Sequence, residues 1–299
     1  MMQEQRTYWN RVGYLKIRMD DGTIRQFGGE GEMFDMKFDG LKFGDFYSTF
    51  TCSILGLTRE HINALTVWDK GQALQKKRYI EVYAGYSSNG DDMSKPIFAG
   101  YVMNAIPTSP PEMWMNFECI RAWDKDQCVT GVETMRDASP RQILEKIAKI
   151  MELDFNMTSF MAKTIDWDAK KYTFEFSGKK KVQLTYKFAN QFNCICIDQN
   201  GTLVAADRRM WLQQAGRIAR DVNQESGMLA VGNVDISGAK IVHRLDNSFE
   251  LLSWVNVQSR LIPRMDSRPY FVKAFRHTGH LRGDKWQTEL ELIRQGANV

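Results

Sequence analysis

The stretch RHTGHLRGDKW, residues 276–286, brings two histidines, an aspartate and a tryptophan into eleven positions. His277 and His280 stand three residues apart, and no glutamate has the spacing of an HExxH-type zinc site. The Arg-Gly-Asp triplet at 282–284 matches an adhesion motif, but a match of three residues is common by chance. Because two glycines permit the backbone angles of a turn, the pattern favours an exposed or interface turn over 276–285, with His277 ending the strand before it.

Other residues with possible chemistry are scattered. Paired acids occur at Glu30 and Glu32 and at Asp166 and Asp168, as in glycoside hydrolysis, but acids in polar loops are usually solvated. Three lysines at 179–181 could touch phosphate, although a basic turn before a strand is the commoner explanation. The chain has no G-x-S-x-G, Walker or Rossmann motif. We therefore expect no enzyme, no metal site and no cofactor.

The cysteines do not have the spacing of a metal or redox motif. They are Cys52, Cys119, Cys128, Cys194 and Cys196, with no Cys-x-x-Cys pair among them. This pattern is typical of reduced core residues in a protein made in the cytoplasm. Cys194 and Cys196 should share one face of a strand, where two small buried hydrophobic residues are a simpler interpretation than a metal or redox pair.

Composition indicates a globular chain. Of its 299 residues 43% are hydrophobic and 25% charged, which suits two domains or one large β domain. The net charge of +4 divides into −2 for residues 1–130 and +6 for 131–299, and a DNA-binding domain would show a denser basic stripe. The sequence begins without a signal-peptide pattern and contains no apolar window of about 18 residues, so we expect neither secretion by a signal peptide nor membrane insertion.

Residues 1–130 read mainly as strands. YLKIRM and IRQF flank Asp20-Asp21-Gly22, a tight-turn signal that predicts a hairpin. Hydrophobic residues alternate with polar ones over 34–38 and 50–54, which predicts strands with one buried face. Further strands are expected at 79–86, 96–102 and 113–120, and LTREHINAL should form a short helix capped by Thr58.

Residues 131–227 read as a small α/β module, and residues 228–299 as β again. SPRQILEKIAKIMEL has a Ser139 cap, Pro140 and a capping-box Gln142, while VQLTYKF is ambiguous between strand and helix. Asn200-Gly201 predicts a hairpin, and the polar stretch 213–227 ends the module. In the last strand, one face should carry four residues: Trp286, Thr288, Leu290 and Leu292.

Abundant aromatic residues without a catalytic motif point to assembly. The chain has 8 tryptophans, and Trp, Tyr and Arg dominate protein interfaces. Most of these tryptophans should pack in cores, and we expect a few to reach a partner. Sheet edges in two β units also need covering, which association with neighbouring copies provides.

Several segments resemble phage baseplate hub proteins. FTCSILGLTREHINALTVW, YIEVYAGY and PIFAGYVMNAIPTSPPEMWMNFEC resemble the first tube-like domain of that family, and YFVKAFRHTGHLRGDKWQTELELI resembles its final hairpin. SPRQILEKIAKIMEL with FNCICIDQNGTLVAADRR is similar to the small insert between the family's two tube-like domains. The resemblance covers most of the chain, and its specificity comes from the order of these patterns.

The resemblance implies a mainly β chain. Two tube-type β-barrel domains, 1–130 and 228–299, would flank a small α/β insert at 131–227. It also implies a structural protein of the virion's tail baseplate, assembled in the host cytoplasm. A homotrimer would present six barrels, adapt the sixfold tail tube to the threefold puncturing spike, and surround the channel for DNA and tape measure. The family has no catalytic residues to carry over.

The implied partners are other copies of the chain, the tail-tube protein and the central spike protein, with tape-measure and wedge proteins as further candidates. DNA would pass only in transit. Strands 79–86 and 96–102 would pair with neighbouring subunits at their edges, and loops 69–78 and 86–95 would contact adjacent layers. The candidate partner-binding residues are Trp68, Lys76, Lys77, Tyr86, Asn89, Asp91, His280, Arg282 and Asp284.

Alternative functions stay open at this point. A tail-tip hub of a non-contractile tail would differ only in its partners. An all-β cell-wall-degrading enzyme would need a cleft with two acids, or a nucleophile in contact with a base. A receptor-binding module would show tandem repeats, and none is visible in the sequence.

Overall fold

The computed structural model describes residues 10–29, 34–43, 49–87, 93–121, 129, 133–157, 166–199, 202–207, 218–235, 238–251, 253–260 and 269–294. The first third contains strands β1 Arg11–Arg18, β2 Ile24–Gly28, β3 Asp35–Phe43, β4 Thr49–Leu55, β5 Tyr79–Tyr86, β6 Phe98–Pro107 and β7 Met115–Ile120. Helices α1 Arg59–Leu65 and α2 Lys70–Lys76 lie between β4 and β5.

The middle third mixes helices and strands: β8 Thr134–Ala138, α3 Pro140–Ile150, β9 Asp154–Met157, β10 Tyr172–Glu175, α4 Lys181–Phe192, β11 Cys194–Gln199 and β12 Thr202–Asp207. The last third is again β: β13 Ile218–Val222, β14 Met228–Val234, β15 Gly238–Arg244, β16 Trp254–Val257, β17 Tyr270–His280 and β18 Trp286–Arg294. The mainly β class predicted from the sequence is confirmed.

One sheet joins the first and last thirds of the chain. Its 13 strands follow the order β14-β15-β18-β17-β3-β4-β7-β6-β5-β1-β2, and β16 and β13 branch from β17. This order is an open path from β14 to β2, so the described strands do not close into a barrel. The two tube-type barrels therefore stay a prediction.

Strand β17 connects the two parts because its partners change along its length. On one side it pairs with β18 from Tyr270 to Gly279. On the other side its first two residues pair with β16, whereas residues 274–280 pair with β3. The register with β18 shifts between Val272 and Ala274, close to this change of partner. Backbone hydrogen bonds thus run continuously from the N-terminal strands to the C-terminal ones.

The described residues form three hydrophobic cores. The first is built mainly by strands β1 to β7 and helices α1 and α2, and the third by the middle module. The second is built by the last third of the chain together with Ile197 of β11 and Val204 of β12. Strand β18 contributes side chains to both the first and the second core. Trp286 lies in the first core, and Leu290 and Leu292 lie in the second. The first core also takes Leu245 from the last third, so the cores cross the expected boundaries, and the three units divided at 130 and 227 remain a prediction.

The start of helix α3 has the predicted capping box. The Ser139 Oγ accepts a hydrogen bond from the Gln142 backbone N at 3.2 Å, and the Gln142 side chain accepts one from the Ser139 N at 3.0 Å. Pro140 occupies the first turn, where no backbone donor is needed. The apolar face with Ile143 and Ile147 is fully buried in the third core, as its helical spacing predicts.

Other local predictions are also confirmed. The hairpin around Asp20-Asp21-Gly22 is the β1–β2 pair, and α1 begins after Thr58, whose side chain accepts from the His61 N. The pair β11–β12 is the hairpin predicted around residues 200 and 201. Cys194 and Cys196 are both buried on β11, with their Sγ atoms 3.9 Å apart.

The structure decides one prediction that was left open and differs from three others. VQLTYKF belongs to helix α4, because Val182, Thr185 and Phe188 recur at helical spacing and are buried together. The loop expected at 69–78 is largely helix α2, whose first turn is capped by Asp69 accepting from the Gln72 N at 2.9 Å. The turn expected over 276–285 is shorter, since β17 continues to His280.

The third difference concerns the strands that were expected to pair with neighbouring subunits. Strand β5 lies between β1 and β6, and β6 lies between β5 and β7, so neither is an edge of the sheet. The polar stretch 213–227 also hides a strand: β13 pairs in parallel with β16. No helix within the described ranges is long and apolar enough to cross a membrane.

Candidate assembly surfaces

The turn between β17 and β18 is anchored to β3 through a buried carboxylate. Asp35 Oδ2 lies 2.9 Å from His280 Nε2, and Asp35 Oδ1 accepts from the backbone N of Arg282 at 3.3 Å. The turn is closed where the His280 N donates to the Lys285 O at 2.8 Å. His280 therefore positions the turn.

Arg11 on β1 holds the same turn from another direction. Its guanidinium donates to the backbone carbonyls of His280, Gly283 and Asp284 and lies 5.7 Å from the centre of the Trp286 ring. The backbone of the turn is thus fixed, whereas the side chains of Arg282 and Asp284 are exposed. This hairpin tip, residues 280–286, presents the charged side chains of Arg282, Asp284 and Lys285 on a rigid support.

His277 is separate from the hairpin tip. It is buried on β17, and its Nδ1 lies 2.9 Å from the Oγ1 of Thr288 on β18. The same hydroxyl accepts from the Asp246 backbone N at 3.1 Å. The two histidines thus have different partners, and among the described residues no three His, Cys, Asp or Glu side chains cluster as a metal site.

Asp246 extends this buried polar network to strand β13. Its Oδ2 lies 2.7 Å from Arg220 Nη2, and its Oδ1 accepts from the N of Ser248 at 2.9 Å. Burial opposes ionisation of this carboxyl, but the charge and hydrogen bond of Arg220 and the Ser248 hydrogen bonds outweigh it and lower its pKa to about 2. The neighbouring residues Leu245 and Phe249 belong to the first and second cores, respectively. The network therefore lies at the junction of these cores.

Three predicted site residues lie around helix α2. Trp68 precedes the helix and is 59% exposed, and Lys77 ends it in the left-handed conformation at φ 41°. Lys76 Nζ lies 3.4 Å from Asp20 Oδ2, while the buried Arg78 binds both oxygens of Asp20 at 2.7 and 2.8 Å. The hydrogen bond from Arg78 lowers the pKa of Asp20. This α2 surface offers an exposed indole on a helix fixed to the β1–β2 turn.

The remaining predicted site residues are not on either surface. Tyr86 is only 4% exposed at the end of β5, so its side chain is part of the first core. Asn89 and Asp91 lie outside the described residues. Of the weighed acids, Asp168 pairs with Arg141 Nε at 2.7 Å, and Asp166 Oδ1 accepts a hydrogen bond from the Asp168 backbone N at 3.1 Å. Glu30 and Glu32 lie outside the described residues.

Sequence reasoning missed the two ends of the sheet. Within the described ranges β14 pairs only with β15, and β2 only with β1. Strand β14, MLAVGNV, carries no charge and exposes Leu229 and Val234, while β2 exposes Ile24. Natural sheets usually protect a free edge with charge, proline or a covering element. The sequence signal that could have identified this edge strand is a run of seven uncharged residues between Gly227 and Asp235.

The sequence matches the model of the baseplate hub gp41 family over residues 34–291. The chain belongs to this family. It is therefore a structural protein of the phage tail baseplate and a component of the virion. The matched range includes the anchored turn, the α2 surface and strand β14. No protein with a curated description matches the sequence.

Solved structures show the same fold at low sequence identity. The tail protein from Neisseria meningitidis MC58 aligns with a TM-score of 0.63 and 12% identity, covering 96% of this chain and 98% of that one. The 43 kDa tail protein of prophage MuSo2 from Shewanella oneidensis aligns with a TM-score of 0.61 and 10% identity, covering 94% and 98%.

A third similar structure comes from a secretion machine. The E. coli c3393 protein aligns with a TM-score of 0.56 and 11% identity, covering 94% of this chain and 76% of that one. It is described as a component of the type VI secretion system that exhibits structural similarity to T4 bacteriophage tail proteins gp27 and gp5. The fold of this baseplate hub chain is thus shared by tail and secretion proteins.

Proposed function

We propose that this chain forms a homotrimeric ring that adapts the sixfold tail tube to the threefold central spike. Each subunit would contribute two tube-type units, residues 1–130 and 228–299, with the α/β module 131–227 inserted between them. The ring would surround the channel through which DNA and the tape-measure protein pass. Its role would be structural, without catalysis, and it would assemble in the host cytoplasm.

The observation that carries this proposal is the strand sharing in β17. Its two halves pair with β16 and β3, and it lies beside β18 throughout, so two β units with separate cores are held by one hairpin. A subunit that offers two similar units to a sixfold partner needs their relative orientation fixed. Shared backbone hydrogen bonds, together with the Arg220–Asp246 ion pair at the junction, supply that rigidity.

The free edges of the sheet support association between copies. Strand β14 at one end is apolar and uncharged, and β2 at the other end exposes Ile24. An edge pairing between different strands of neighbouring copies is heterologous, and such contacts make a closed ring when the rotation closes. We therefore place the subunit contact at β14 and β2, and not at β5 and β6 as the sequence first suggested.

The two anchored surfaces supply contacts to other layers. The α2 surface presents the exposed Trp68 and Lys77 beside the half-buried Lys76, and the hairpin tip presents the exposed Arg282 and Asp284, all on fixed backbones. Rigid supports lower the entropic cost of association. We assign these surfaces to the tail-tube protein and the spike protein, with tape-measure and wedge proteins as further candidates.

The test is the mass of the purified chain by light scattering after size exclusion, with and without a co-expressed spike protein. The expected result is a mass near three times 34.6 kDa for the chain alone, or that mass plus the mass of the bound spike where the trimer forms only with the spike. Leu229→Lys with Val234→Lys should abolish that species, because two charges on an edge strand oppose pairing.

The matched control places the same two lysines away from an edge. Thr49→Lys with Asn116→Lys adds them to exposed positions of β4 and β7, which are internal strands. The control should keep the trimer. A wild-type chain that stays monomeric with the spike and with the tail-tube protein would refute the ring, and equal loss of the trimer in both variants would refute the assigned edges.

A further inference from the structure

The basic charge of the chain is concentrated in one segment of the middle module. Residues 169–193 contain six lysines and one glutamate, a net charge of +5, whereas the whole chain carries +4. The remaining residues therefore sum to −1. The segment runs through β10 and α4, and α4 itself contains no acidic residue.

The six lysines lie along helix α4 and along the segment that packs beside it. Tyr172 packs on Phe192 with ring centres 5.0 Å apart and Phe174 packs near Phe188, so β10 runs antiparallel to α4. Lys170 and Lys171 consequently lie near the end of α4, the triplet 179–181 at its beginning, and Lys187 between them. A helix of this length spans about 18 Å.

Three of the six lysines are not paired with carboxylates of the described residues. In the part of the chain that the structure describes, Lys170, Lys171 and Lys179 form no ion pair with a carboxylate, and all three are exposed. Asp168 is paired with Arg141, and Glu133 with Lys146. Lys187 Nζ is bound to the carbonyl of Glu175 at 3.0 Å.

The position of the triplet is unfavourable for the helix itself. Cations are destabilising at the N-terminus of a helix, where the helix dipole is positive. Three consecutive lysines at that end therefore oppose local stability. Such a conflict between local preference and fold is expected where a residue serves binding.

We infer that the stripe formed by Lys170, Lys171, Lys179–Lys181 and Lys187 is a binding surface for the phosphodiester backbone of nucleic acid. The segment carries its positive charge on six lysines and contains no arginine, so it would hold phosphate groups as point charges and not by paired hydrogen bonds. Lysine is a point charge suited to successive phosphates. Tyr186, 41% exposed on the same helix, adds an aromatic face on which a base can stack.

This inference does not rest on the proposed ring, because it concerns a surface of the inserted module alone. It differs from the expectation that DNA only passes through the channel. The segment after residues 179–181 is a helix and not the expected strand, because Lys180 is the N-cap of α4 and Lys181 its first residue.

The experiment measures binding of the full chain to fluorescently labelled DNA, duplex and poly-dT, by anisotropy between about 50 and 200 mM salt. Lys179→Gln, Lys180→Gln and Lys181→Gln together should weaken duplex binding about tenfold and reduce the salt slope by about 2.7, which is roughly 0.9 for each phosphate contact. Tyr186→Ala should weaken poly-dT binding about fivefold or more.

The matched control removes the same charge elsewhere. Lys95→Gln, Lys149→Gln and Lys240→Gln change three exposed lysines outside the segment and outside the two assigned surfaces. Equal weakening by this control would show only non-specific attraction and overturn the inference, as would no DNA binding at the lowest salt. Tighter binding to poly-glutamate than to DNA would also overturn it, in favour of an acidic protein. Light scattering of the same variants measures the mass of the assembly, so a loss of DNA binding can be distinguished from a loss of the proposed ring.

Discussion

The Arg220–Asp246 ion pair should dominate the acid sensitivity of the hub chain. Asp246 has a pKa of about 2 in the folded chain, against an ordinary value of 3.8. One pKa unit corresponds to about 1.4 kcal/mol, so ionisation of this buried carboxyl contributes about 2 kcal/mol to the free energy of unfolding. Because the folded pKa is the lower one, the contribution is complete well above pH 3.8 and is lost as the pH falls toward 2.

Asp246→Asn is the informative change because it keeps the size of the side chain and removes its charge. At pH 7 the variant should be less stable than the wild type by about 2 kcal/mol, since Arg220 loses its ionic partner. At pH 2 the difference should shrink to about 0.4 kcal/mol, the value that the same linkage relation gives at that pH. Urea unfolding at a series of pH values measures both numbers.

Asp168→Asn is the matched control. Asp168 also pairs with an arginine, Arg141, but its carboxylate is exposed and screened by solvent. This variant should keep the pH dependence of the wild type almost unchanged. If Asp246→Asn also retained the full loss of stability between pH 5 and pH 2, the carboxyl would not be the group that titrates, and the account of the core junction would be wrong.

Three further results follow from the structure. Thr288→Val should lower the free energy of unfolding by about 1 to 3 kcal/mol, because it leaves buried polar groups of His277 and Asp246 unpaired, whereas the exposed Thr51→Val should not; urea unfolding decides. Ser139→Ala should cost about 1 kcal/mol by removing the α3 cap, and Ser139→Asn, which restores a capping group, should recover most of it. Arg11→Ala should speed tryptic cleavage after Arg282 or Lys285, because the turn loses three hydrogen bonds, whereas Arg18→Ala on the same strand should leave cleavage unchanged; mass spectrometry of the fragments shows which.

Local features of the fold were predictable where one segment determines its own structure. The α3 capping box needs only Ser139, Pro140 and Gln142, and the alternation of β4 reports its own buried face. The helix α4 was ambiguous because VQLTYKF alternates apolar and polar residues at its start, and only the burial of Phe188 and Phe192 in the third core decides for helix. Its period is visible only over the full twelve residues.

Pairings between distant strands could not be predicted from patterns within the strands. The sequence YFVKAFRH does not indicate that its first residues pair with β16 and its later residues with β3. For the same reason β5 and β6 were expected at the edge, since a strand in the middle of a sheet and one at its edge have similar hydrophobic alternation. The absence of charge in β14 shows that this edge is unprotected, but only once the strand is known to lie at an edge.

The clustering of His, Asp, Arg and Trp in residues 276–286 has a structural cause. A hairpin shared by two cores must end against strands of the first unit, so its tip needs several side chains that bind backbone and carboxylate groups without solvent. Asp35 on β3 meets this need by binding His280, and Arg11 on β1 meets it by binding the backbone of the turn. Residue types that often perform catalysis are used here because they make directional hydrogen bonds, which a junction between two β units requires as much as an active site does.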